Sequence, residues 1–280
     1  MTLPKTTSLA LIASALASLT TATPLLARDH PQQGLQWAHN ISFGGCDPTQ
    51  QSTILTAIAD AAALSTSAMA ALDLSPYANP AAYFFPESYA PNAKQVFQTA
   101  VWALQPDPAQ NYKGLNDIWL YCTDLEQKCA GTVPGPAPGS SEPLLGYVPD
   151  NYNPATGQGS STSPALFVVC PALLALPRNP APCSHSAAAG GKSLGWGFLR
   201  TFLTLRSVQP GFAKGAGKII ADRRAGVEGS HALAAVKGEG YDLNADNYAE
   251  LGLWSYLVGV SGKGVGCLAD CANIGADAGC

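Results

Sequence analysis

Charge is scarce in this chain. Only 12% of its 280 residues are Asp, Glu, Lys or Arg, with 15 basic against 19 acidic groups and a formal net charge of −4. No basic excess exists to neutralise phosphates, which excludes a nucleic-acid binder or a polybasic membrane ligand. Histidine is almost as rare. His30, His39, His185 and His231 are the whole set, and no two stand four apart as a helical metal pair requires. No His falls between His185 and His231, and no Asp or Glu between Asp150 and Asp222. The apolar run near the N-terminus is serine-rich and shorter than the about 20 residues that span a bilayer, so no transmembrane anchor is expected.

Apolar residues make up 47% of the chain, enough for a sizeable core. Lys5, then Ser8 to Leu19, then Thr20-Thr21-Ala22 read as a basic, apolar and small-residue leader, so residues 1–22 are expected to be a cleaved signal peptide. Residues 23–39 are an N-terminal segment open to further trimming. A main domain is expected over 40–263, with a Pro/Gly/Ser-rich insertion at 130–164 and a Cys-rich tail at 264–280. The eight cysteines, an even set in a secreted chain, favour four disulfides over thiol chemistry. Cys122-x6-Cys129 and Cys267-x3-Cys271 lack the second pair or His partner of a zinc site. Asn40-Ile41-Ser42 is the N-glycosylation sequon, at Asn40.

Asp47-Pro48-Thr49-Gln50 carries a cap, a first-turn proline and a capping-box Gln. Ile54, Leu55, Ile58, Ala62 and Leu64 then keep helical spacing to about Leu72. Further helices are expected over 92–104, 193–207 and 244–259, the last capped by Asn244. Strands are expected at 117–122 and 165–170. The Pro/Gly-rich stretch between them is read as a surface loop or hairpin excursion, with the loop favoured.

The G-x-S-x-G pattern of serine hydrolases is read as absent, with Gly159-Ser160 and Gly191-Lys192-Ser193-Leu194-Gly195 both taken to miss its spacing and neither ending a clear strand. Gly211 to Lys218 echoes a phosphate loop only loosely. Paired cysteines disfavour a cysteine protease.

Four segments in order carry a family resemblance: Cys46-Asp47-Pro48-Thr49-Gln50-Gln51 before an Ala-rich helix, Tyr121-Cys122-Thr123-Asp124 ahead of Cys129, Val169-Cys170-Pro171 to Pro177, and Asn244-Ala245-Asp246-Asn247-Tyr248. Over about residues 40–260 the chain resembles the deuterolysin-like fungal secreted metalloendopeptidases, the aspzincins that include lysine-specific endopeptidases. Gly264-Val265-Gly266-Cys267 is similar to a neighbouring fungal antigen branch bearing H-R-x-x-H. The resemblance implies a helix-rich, zincin-like α+β fold with a small sheet. It also implies the disulfides Cys46–Cys122, Cys129–Cys170 and Cys183–Cys267, with Cys271–Cys280 as the remaining pair.

An aspzincin holds zinc with the two His of H-E-x-x-H and an Asp of G-T-x-D-x-x-Y-G. The corresponding positions here are Arg200, Thr201 and Thr204, with Glu228 the nearest echo of the acidic ligand. A guanidinium about 4 Å from a dication is repelled by about 8 kcal/mol at an effective dielectric near 20, so no zinc or other cofactor is expected. Arg200 is expected either to pair with a buried carboxylate, Glu228 or Asp246, or to join Arg206, Arg223 and Arg224 in a surface for an anionic ligand, the first being favoured. The resulting expectation is a secreted, monomeric, non-catalytic protein that binds an unidentified extracellular protein or ligand. The alternative is an active zinc endopeptidase with a non-standard site.

Overall fold

The longest helix is dictated by its first turn. Asp47 accepts the Gln50 amide at 2.8 Å while the Gln50 side chain accepts the Asp47 N–H at 2.9 Å, and Pro48 occupies the first helical position. The resulting α1, Pro48–Leu72, is the hub of the core, packed against the three other long helices. It is long and apolar enough to cross a membrane, yet 56% of its most apolar window is buried inside the protein, as for a core helix. The computed structural model describes residues 41–74, 80–104, 118–135, 139–149, 165–180, 192–205, 220, 230, 241–261 and 264–265. All belong to the unit Gly34–Cys280.

Strand β1 (Ile41–Gly44) precedes α1. After α1 come α2 (Ala81–Phe84), a 3-10 turn (Glu87–Tyr89) and α3 (Ala90–Leu104). Strand β2 (Ile118–Tyr121) follows, then a hairpin of β3 (Thr132–Pro134) and β4 (Ser141–Pro143), then β5 (Gly146–Tyr147) and β6 (Ala165–Val169). The C-terminal half adds α4 (Pro171–Leu174), α5 (Leu194–Phe202), a 3-10 turn (Tyr241–Leu243), α6 (Ala245–Leu257) and the hairpin β7 (Val260–Ser261) and β8 (Gly264–Val265).

The main sheet has the order β1-β2-β6-β5. β1, β2 and β6 run parallel and β5 pairs antiparallel at the edge. Parallel neighbours need long crossovers, and the α1–α3 helices supply the one between β1 and β2. Strand alternation then sorts the side chains. Ile118, Leu120, Phe167 and Val169 join the helical core, while Tyr121, Leu166 and Val168 gather around Tyr147 and Cys170 on the opposite face. Each large core side chain contributes about 1.5–3 kcal/mol by burial.

Two disulfides staple the sheet where its parallel strands end. Cys46–Cys122 follows β1 and β2, and Cys129–Cys170 ties the loop after β2 to the end of β6. Cys183, Cys267, Cys271 and Cys280 lie outside the described residues, as do residues 1–40 with Asn40.

The protein is therefore a helix-rich α+β fold with a small, disulfide-stapled sheet. Several boundaries differ from expectation. The 130–164 stretch is partly regular: β3 and β4 form a hairpin and β5 adds a strand to the main sheet, so the loop reading fails for its described half. The β7–β8 hairpin crosses the expected 263/264 boundary. The helix expected over 193–207 ends at Phe202, where Leu203 caps it and the Thr204 hydroxyl bonds back to the Thr201 carbonyl at 2.7 Å.

Candidate functional site

Helix α5 is buried on all sides, a core helix rather than an amphipathic surface one. Ser193 caps it, accepting the Trp196 N–H at 3.2 Å. Glycines at 195 and 197 allow close packing. A Cβ on Gly195 would meet Asp60 and Asn179 at 2.7 Å, and one on Gly197 would meet Leu176 at 2.7 Å. In this apolar setting Arg200 is 3% exposed. Its Nε contacts Asp246 Oδ1 on α6, and Asp246 is wholly buried. Of the two fates expected for Arg200, the structure shows the ion pair, with Asp246 as partner. The guanidinium is not offered to a dissolved anion.

The pair belongs to a larger cluster. Trp196 and Arg200, four apart, share one edge of α5, and Lys192, in the extended lead-in before the Ser193 cap, reaches the same Trp196 ring. The Trp196 ring lies between two cations, with Lys192 Nζ 5.3 Å and the Arg200 guanidinium 5.4 Å from its centroid. Lys192 also contacts Glu142 Oε1 on β4. Facing them on α6, Asp246 is followed four residues later by Glu250, itself 6% exposed.

Burial, and secondarily the Asp246 charge, push the Glu250 carboxyl up from 4.5 to about 8; Lys192 and Arg200 oppose the shift without cancelling it. The Trp196 indole N–H is buried without a formed hydrogen bond and lies close enough to Glu250 to favour its ionised form. Because the folded state keeps a proton that the unfolded chain releases, Glu250 stabilises fully below about pH 4.5, and that contribution is lost as pH rises toward 8. The slope is at most about 1.4 kcal/mol per pH unit. Glu250→Gln should flatten this part of the stability profile, read from urea midpoints between about pH 5 and 8. Equal slopes in both proteins would show that Glu250 titrates normally.

The other motif residues serve the scaffold. The Thr201 hydroxyl donates to the Gly197 carbonyl at 2.9 Å. Asn244 stands at the start of α6 but does not cap it with its side chain. Its amide donates to Asn247 Oδ1 at 2.8 Å, and Asn247 Nδ2 reaches the Phe84 carbonyl at 2.8 Å, joining α6 to α2. Tyr248 donates to the Asp242 carbonyl at 2.9 Å. Gly191 to Gly195 does carry the letters of a G-x-S-x-G nucleophile elbow, so its spacing alone does not disqualify it. Ser193 is instead a buried helix cap whose hydroxyl donates to Asn179 Oδ1 at 2.6 Å.

Glu228, Arg206, Arg223, Arg224 and all four histidines fall outside the described residues. Among the described residues no group of three or more His, Cys, Asp or Glu is placed to hold a metal ion. At positions 200, 201 and 204 the donor set is a guanidinium and two hydroxyls engaged with backbone carbonyls, which does not fit zinc. Glu250, Trp196 and the Lys192–Glu142 link were not anticipated. A partial signal was present in the four-residue spacings Asp246/Glu250 and Trp196/Arg200 within apolar helices; the place of Lys192, ahead of the extended cap Ser193, carried none.

Fold and site together define a disulfide-stapled α+β domain whose interior holds an ion cluster between two core helices. Among solved structures it is similar to a zinc peptidase from Grifola frondosa, with TM-score 0.44 and 14% identity, over 74% of this chain and 96% of that one. At that level of likeness nothing functional follows. No family model matches the sequence, and no curated protein does.

Proposed function

We propose that this chain is a secreted, non-catalytic relative of the deuterolysin-like metalloendopeptidases, with a zincin-like scaffold, that acts by binding an extracellular protein or ligand. The observation that carries the reading is the buried Arg200–Asp246 pair, because Arg200 stands where the resemblance puts the first metal-binding His. A guanidinium cannot lose its proton to become a ligand. The two sheet disulfides suit an oxidising compartment and support secretion, together with the leader-like residues 1–22.

The test is metal analysis of the secreted protein, paired with casein and Lys-peptide cleavage assays. The expected result is zinc far below one ion per chain and no chelator-sensitive cleavage. Stoichiometric zinc with chelator-sensitive cleavage would instead establish an active endopeptidase with a non-standard site, built on residues beyond Arg200, Thr201 and Thr204.

A further inference from the structure

We propose that Glu250, Lys192 and Glu142 form a pH-sensitive latch, which holds the β3–β4 hairpin against the start of α5 while Glu250 is protonated and loosens it once Glu250 ionises. The inference is independent of the proposed function and rests on how charges are shared in the interior cluster. Arg200 and Lys192 face three carboxyl groups, those of Asp246, Glu142 and Glu250. Asp246 is in contact with Arg200 and Glu142 with Lys192, which leaves Glu250, among the described residues, as the carboxyl of the three with no cation in contact. Glu250 is also 6% exposed, so its charged form is disfavoured by burial.

Among the described residues one other cation acts on α6, Arg178, and it does so at Tyr256 rather than at Glu250. Helix α1 carries one ionisable group, Asp60, which is paired with Arg178 at 3.0 Å. Helix α2 carries Tyr83 alone and β7 none. Helix α5 and its lead-in bring Lys192, Arg200 and the Trp196 indole, and α6 itself carries Asp246, which acts on Glu250, and the phenols Tyr248 and Tyr256. Arg200 is held by Asp246 in the interior, whereas the Lys192 side chain is 29% exposed and bound to a surface hairpin. Lys192 is therefore the cation an ionised Glu250 would draw inward, along the Trp196 ring it already overlies.

Losing Lys192 would free Glu142 and with it the middle of β4, where Glu142 is paired with Val133. The movement is bounded. Cys129–Cys170 anchors the chain just before β3, and Cys170 also donates its N–H to the Leu145 carbonyl at 3.0 Å just after β4. The latch thus opens the hairpin locally and reversibly.

Amide hydrogen exchange, corrected for intrinsic rates, tests this through two hairpin hydrogen bonds, Gly135 N–H to Ser140 O and Leu144 N–H to Gly131 O. In the wild type, protection of both should fall about tenfold between about pH 6 and pH 9 while α1 amides stay unchanged. In Glu250→Gln it should stay high throughout, and in Glu142→Gln it should be low at both ends. A fall in Glu250→Gln matching the wild type would overturn the latch. Should Glu250→Gln not fold, carboxyl carbon NMR of the wild type decides. A Glu250 midpoint coinciding with the exchange transition supports the latch, and a midpoint below about pH 6 refutes it.

Discussion

Arg200→Ala should destabilise the folded protein by about 3–5 kcal/mol, because it removes the cation in contact with the wholly buried Asp246. Removing Asp246 alone should cost a similar amount by taking the carboxylate away from the buried guanidinium. Replacing both, as in Arg200→Met with Asp246→Leu, should be close to neutral or stabilising by about 1–4 kcal/mol, since the desolvation of two ions disappears with them. Arg200→Lys should recover only part of the loss, because an ammonium lacks the planar fork and stacks less well on Trp196. Urea unfolding with unchanged m-values provides the measurement. If Arg200→Ala instead left the midpoint in place while abolishing capture of a carboxylate ligand, Arg200 would be a binding residue and the structural pairing would be wrong.

Removal of Cys46–Cys122 as a double alanine variant should cost about 4 kcal/mol. The bridge closes a separation of 76 residues that contains α1, α2 and α3, so its loss returns a large loop entropy to the unfolded chain. Cys129–Cys170 closes a separation of 41 residues. Its removal should cost about 0.5 kcal/mol less on chain-entropy grounds. Melting of both double variants in oxidising buffer gives the comparison. A smaller effect at Cys46–Cys122 would mean that the unfolded chain keeps β1 and β2 close without it.

Elements fixed by local chemistry were legible before the structure. The Asp47 capping box and the 3.6-residue pattern place α1 at Pro48–Leu72, and the runs around Trp119 and Phe167 place the two central strands. What depends on partners distant in sequence was not legible. Residues 193–207 read as one long helix because Leu203 and Leu205 extend its apolar pattern, yet both are buried in the turn that ends α5 at Phe202. Asn244 has the composition of a cap, but Asn247 and Ser230 compete for its side chain. The fate of Arg200 was half legible. An interior carboxylate was expected, but that Asp246 provides it and brings Glu250 four residues behind depends on how α5 lies against α6. Glu142 could not be linked to Lys192 from sequence, since they are distant in the chain and meet through the hairpin.

The bridge at the ends of β1 and β2 has a mechanical consequence. Tension applied through the N-terminal segment can peel β1 only as far as Cys46, after which the load passes through sulfur to Cys122. The helices between those residues are shielded from the force. This bridge alone would withhold roughly 250 Å of the extension that the residue count suggests, and its reduction would restore that hidden length in one step.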